Sequence, residues 1–133
     1  AMNICRKLKK IKINAEVINA RFLKPFDKHP IIKSIGKTRF VVTLEDNTLV
    51  GGLGAEVKEI IAEKHISNVT IKNFGYPDVF VEHGTPQELE EKYKIDEKSI
   101  FNYIKKEFEY KKRMKKRKYE NDFKRPRAIT GQE

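Results

Sequence analysis

Residues 41–60, VVTLEDNTLVGGLGAEVKEI, gather the groups best suited to chemistry. A β-branched run passes through Glu45, Asp46 and Asn47 into Gly51, Gly52 and Gly54, and an apolar stripe at helical spacing follows. Glycines between a strand and a helix can cradle a phosphate on backbone N–H groups. A dinucleotide fingerprint needs Gly-x-Gly-x-x-Gly, and Val57 stands where the third glycine belongs. A P-loop needs Gly-Lys-Ser/Thr, and Gly54 is followed by Ala55 and Glu56. Glu56 would repel a phosphate, although it suits the positive end of a helix dipole. The stretch is therefore expected to turn a strand into a helix rather than to bind phosphate. Glu45 and Asp46 stand at a strand's C-terminal end, the edge where ligands meet parallel sheets, with Asn47 beside them. A solvated turn is the competing reading.

His29, His65 and His83 are far apart, and no pair has metal-ligand spacing. His83, in VFVEHGTP, follows strand-like residues and precedes a helix start, so both a turn role and a site role are open to it. No nucleophile–histidine–carboxylate set follows from spacing. The single cysteine, Cys5, is too little for a disulfide or a zinc site and is expected to be a buried thiol in a reducing, cytoplasmic setting.

The elements that must position these groups follow from periodicity. Met2, Ile4, Cys5, Leu8 and Ile11 place a helix over 2–11. Residues 15–23, 38–45 and 68–75 have strand composition. Asp27 caps a helix expected to stop at Gly36, and Leu53, Val57, Ile60 and Ile61 form a second apolar stripe. Thr85, Pro86 and Glu88 make a capping box for a helix over 86–93, and Asp96 with Ser99 opens another. Strands alternating with helices imply a three-layer α/β/α domain with a mostly parallel sheet. Three strands are few for that architecture, so a first strand upstream of residue 1, in a longer chain, is expected.

The 133 residues suffice for one domain with a core, and no apolar run is long enough to span a membrane. The net charge of +10 is uneven: residues 1–103 carry 17 basic and 14 acidic residues, and 104–133 carry 12 and 5. The domain is thus read as 1–109, with a basic extension over 110–133. The extension can continue the preceding helix as a solvated rod or stay disordered. A solvated extension is the default, with nucleic acid not expected as a partner. A stand-alone anion- or nucleic-acid-binding protein acting through this tail is the competing reading.

INARFLKPFD (18–27), VVTLEDNTLVGGLGAEV (41–57) and GYPDVFVEHGTPQELEEKYKID (75–96) together resemble the C-terminal domain of the 1-deoxy-D-xylulose-5-phosphate synthases, thiamine-diphosphate enzymes of the transketolase family. The resemblance covers roughly residues 3–108. It implies a transketolase C-terminal-like fold in a homodimeric parent that condenses pyruvate with glyceraldehyde 3-phosphate, losing CO2, for isoprenoid, thiamine and pyridoxal phosphate synthesis. It also implies that thiamine diphosphate, Mg2+ and the catalytic residues belong to two preceding domains, leaving no catalytic, cofactor or metal residue here. Glu45, Asn47, Gly51, Gly52, Gly54, Asp78 and His83 are then expected to face those domains, Asp78 and His83 ordering the loop after the last strand. Another transketolase-type enzyme, such as a split transketolase, is the further alternative.

Overall fold

The computed structural model describes residues 1–22 and 25–124, with side chains to residue 120. Its elements are α1 (Met2–Lys10), α2 (Lys28–Thr38), β1 (Phe40–Thr48), α3 (Leu53–Glu63), β2 (Thr70–Tyr76), α4 (Pro86–Lys92) and α5 (Glu97–Lys124). The chain divides into two compact units between Phe101 and Asn102.

The first unit is built on β1 and β2, paired in parallel from Phe40↔Thr70 to Leu44↔Phe74. α3 is the crossover between them, as parallel pairing requires. Alternation puts Val41, Thr43 and Glu45 on one face with Ile71, Asn73 and Gly75. α2 and α3 cover that face. Ile31 and Ile35, one helical turn apart on α2, meet Val57 of α3 and pack with Phe26, Val41, Leu53, Ile61 and Ile71. Ile60 is fully enclosed. The other face carries Phe74, which is buried, and Tyr76, whose ring meets Tyr93 edge-on at 5.6 Å just after α4. This is the layered parallel α/β arrangement that the alternation of elements implied.

The expected strand over 15–23 is not found among the described residues. Val17, Ile18 and Phe22 are exposed, and no neighbouring strand offers residues 14–22 a ladder. Strand composition becomes a strand only where a partner pairs the backbone groups. Ile13 is nevertheless buried, and its N–H donates to Leu8 O. Cys5 is half-buried rather than enclosed, with Sγ donating weakly to Ala15 O at 3.4 Å.

Helix boundaries follow local chemistry except where tertiary contacts intervene. Asp27 accepts from His29 N at 3.1 Å and starts α2. α2 runs past Gly36, expected to end it, and closes at Arg39, which adopts φ 52°. Arg39 is held there from β2's side: its guanidinium donates to Ser67 O and its carbonyl accepts from Thr70 N. The Thr85–Glu88 capping box is complete, with Pro86 at the first helical position. Asp96 Oδ1 accepts from Ser99 N at 2.9 Å at the start of α5. Burial alone would raise the Asp96 pKa, but hydrogen bonds from Ser99 and from the Lys98 amide outweigh it and hold the carboxyl below its ordinary value.

Candidate functional site

Because β1 and β2 are parallel, their C-terminal ends lie on the same edge of the sheet. The β1–α3 turn, with Asn47, Gly51 and Gly52, and the β2–α4 loop, with Asp78 and His83, both leave from that edge. Register breaks there. Leu44 pairs with Phe74 and Thr48 with Tyr76, leaving the Glu45–Asp46–Asn47 stretch bulged against Gly75. Bulges re-aim side chains.

Glu45 stands at the start of that bulge, on the face toward α3. Its Oε2 accepts from Leu53 N at 2.8 Å and its Oε1 from Gly54 N at 3.1 Å. A single carboxylate thus takes two of the free N–H groups at the N-terminus of α3, where the helix dipole favours an anion. The glycine turn does bind an anion, and the anion is the protein's own. That leaves no cradle for a diphosphate, whose oxygens would need those same N–H groups. Among the described residues no group of three or more His, Cys, Asp and Glu side chains could hold a metal ion.

The glycines have separate physical reasons. Gly51 has φ +69°, which side-chain-bearing residues rarely adopt. A Cβ at Gly52 would lie 1.9 Å from Glu45 Oε2 and 2.9 Å from Thr48 O. A Cβ at Gly54 would lie 2.2 Å from Asn73 Nδ2. The structure therefore brings Glu45, Gly52 and Gly54 into one contact set. Asn47 is exposed and turns inward on itself, accepting from Thr48 N at 2.8 Å.

Asp78 and His83 are exposed on the β2–α4 loop and are not part of the Glu45 contact set. The same loop exposes Val79, Phe80 and Val81, with Phe80 fully in solvent, and Val50 is exposed in the β1–α3 turn. The loop's far end is tied back by an ion pair between Glu82 and Lys92.

Sequence reading missed Thr43, Asn73, Gly75 and Phe80. Thr43 and Asn73 are register partners on the face toward α3, and Thr43 Oγ1 and Asn73 Oδ1 are buried without hydrogen-bond partners. A Cβ on Gly75 would meet Asn47 O and Glu45 Cγ, both at 2.9 Å. A glycine inside a strand pattern was the available signal for that close approach. Elsewhere a shallow hollow of ≈ 170 Å3 lies between Ile18, Phe22, Pro25 and Ile31. It falls short of the volume that encloses an organic ligand.

The site is thus a parallel α/β unit whose glycine turn is closed by its own carboxylate and whose neighbouring loops expose Val50 and Phe80. The chain belongs to the transketolase C-terminal domain family, whose model matches residues 1–100. Among curated relatives, the chain is 40% identical over 100 residues to the 1-deoxy-D-xylulose-5-phosphate synthase of Halothermothrix orenii, covering 75% of this chain and 16% of that protein. It is 39% identical over 92 residues to synthase 2 of Geobacter sulfurreducens, covering 69% and 15%. The chain thus spans about a sixth of the length of the curated relatives it matches. Among solved structures, one described as a split gene transketolase, inactive β4 tetramer, matches with TM-score 0.70 and 32% identity, over 79% of this chain and 34% of that one.

Proposed function

We propose that this chain serves as the non-catalytic C-terminal domain of a 1-deoxy-D-xylulose-5-phosphate synthase. The observation that carries this reading is the identity of about 40% to synthases, confined to a stretch that is about a sixth of their length. In the whole enzyme, pyruvate loses CO2 and its two remaining carbons join glyceraldehyde 3-phosphate, feeding isoprenoid, thiamine and pyridoxal phosphate synthesis. Thiamine diphosphate, with Mg2+, supplies the carbanion chemistry from the other domains. The residues described here do not fit that cofactor, since Glu45 already takes the N–H groups of Leu53 and Gly54. No step of the reaction is assigned to this chain.

Its part is to present a surface. Glu45, Gly52 and Gly54 shape the turn, Gly51 reverses the chain, and Asn47, Asp78 and His83 sit on the rim that meets the preceding domains. Exposed Phe80 and Val50 supply the apolar contact that such a rim needs. The parent is read as a cytoplasmic homodimer. Among the described residues no helix is long and apolar enough to cross a membrane.

A hybrid tests this directly. Residues 1–109 replace the corresponding segment of the Geobacter sulfurreducens synthase, and pyruvate-dependent CO2 release with glyceraldehyde 3-phosphate is measured. The hybrid should turn over while the 133-residue chain alone does not. A well-folded, inactive hybrid would sink the proposal. The likeness to the split-gene transketolase favours a second reading, the C-terminal part of a split transketolase. Under it the hybrid stays inactive, and grafting into a transketolase instead restores ketol transfer.

A further inference from the structure

The family match ends at residue 100, and α5 continues to Lys124. We propose that this helical extension is a docking helix for double-stranded nucleic acid, held through its phosphates. Sequence alone left two forms open for the segment, a solvated rod or a disordered tail. Through Lys124 the segment is helical, and residues 125–133 lie outside the described residues.

Six cationic side chains, Lys112, Arg113, Lys115, Lys116, Arg117 and Lys118, are exposed within seven consecutive residues. At a rise of 1.5 Å per residue they occupy about 10.5 Å of helix, or about one positive charge per 1.8 Å. A nucleic-acid duplex carries about one negative charge per 1.7 Å of axis. The two linear charge densities are nearly equal and opposite.

Their angular distribution narrows the partner further. Successive residues turn by about 100°, so the six charges surround the helix with no gap wider than about 100°. A helix lying on a membrane needs a continuous apolar face. Here Met114 is the lone apolar residue inside the run, and exposed Tyr119 projects about 140° away from it. A collar charged on all sides instead suits a groove with phosphates on both walls, and the major groove admits an α-helix.

Like charges outnumber opposite ones along the collar: Glu109 and Glu120 stand at i,i+4 only from Arg113 and Lys116. Lys112 and Lys116, and Arg113 and Arg117, are like charges at helical spacing i,i+4, which repel. Among the described residues the ion pairs join Lys7–Glu97, Lys28–Glu63, Lys37–Glu16 and Lys92–Glu82, and none reaches 112–118. Phosphates on either side would relieve that repulsion and release their own counterions.

The experiment is fluorescence anisotropy of the 133-residue chain with a short labelled duplex, as DNA and as RNA, between about 50 and 200 mM KCl. With about six phosphates engaged, affinity should fall roughly a thousandfold over that range, on a log–log slope near −5. Replacing Lys115, Lys116, Arg117 and Lys118 by glutamine should make the slope shallower by about 3.6. Exchanging the three lysines for arginine should leave the slope in place, with circular dichroism confirming the helix in both variants. An unchanged slope in the glutamine variant overturns the proposal, as does loss of binding in the arginine variant. Tighter binding to phosphatidylserine vesicles or to polyglutamate than to either duplex overturns it too. The hybrid synthase assay uses residues 1–109 and is blind to all these outcomes.

Discussion

At the scale of single residues, Glu45 is the side chain on which the glycine turn depends. Its carboxylate satisfies two helix N-terminal donors, and Gly52 leaves the space it occupies. Glu45→Ala strands those donors, so the domain should lose about 1–2 kcal/mol in urea unfolding. Gly52→Ala should destabilise too, because its Cβ displaces Glu45 Oε2. In the Glu45→Ala background that penalty should shrink, leaving the contact with Thr48 O. A double-mutant cycle with no coupling would contradict the contact. Thr43 makes the opposite case. Its hydroxyl is buried without a partner, and Thr43→Val removes that polar atom at nearly constant shape. The variant should be more stable by about 1 kcal/mol, a thermal midpoint some degrees higher. A lower midpoint would show that the hydroxyl is satisfied after all.

At the scale of elements, the helices show which boundaries local chemistry can set. The capping box at α4 and the Asp27 and Asp96 contacts form as read, because each needs only groups within three residues. Asp96 makes a pH prediction. Its folded pKa is depressed, so its contribution is present above the unfolded value near 3.9 and is lost as pH falls through the lower, folded value. The stability difference between the wild type and Asp96→Asn should therefore shrink steadily in urea titrations taken from pH 6 down to pH 2. A difference independent of pH would remove Asp96 from the acid response. Ile60 tests the α3 face: it is fully enclosed, and Ile60→Ala should cost about 2–5 kcal/mol. The end of α2 was not legible. Gly36 is a good local stop, but Arg39's ties to Ser67 and Thr70, almost thirty residues downstream or more, carry the helix past it. The strand over 15–23 failed for a related reason, since a ladder needs a second partner that composition cannot supply.

At the scale of the whole molecule, parallel topology sets where separate loops emerge. The β1–α3 turn and the β2–α4 loop leave the same sheet edge only because the strands point the same way. If that edge docks onto preceding domains, Phe80→Asp in the hybrid synthase should lower activity or the thermal midpoint of the hybrid. The same change in the 133-residue chain should leave stability within about 0.5 kcal/mol, since Phe80 is fully exposed there. Equal effects in both would assign Phe80 to the domain's own fold.

The VVTLEDNTLVGGLGAEVKEI stretch marks the division between sequence and structure. Its sequence argued against a phosphate loop, because it lacks the third glycine and the P-loop lysine. It was enough to order strand, turn and helix, since periodicity and glycine conformation act over a few residues. That the turn's N–H groups are taken by Glu45, eight and nine residues back along the chain, was decided in three dimensions. The carboxylate's stem runs close against Gly75, thirty residues away in sequence, where a Cβ would lie 2.9 Å from Glu45 Cγ. Gly75 signals a close approach but not which group makes it, so only the folded chain could choose the anion that closes the loop.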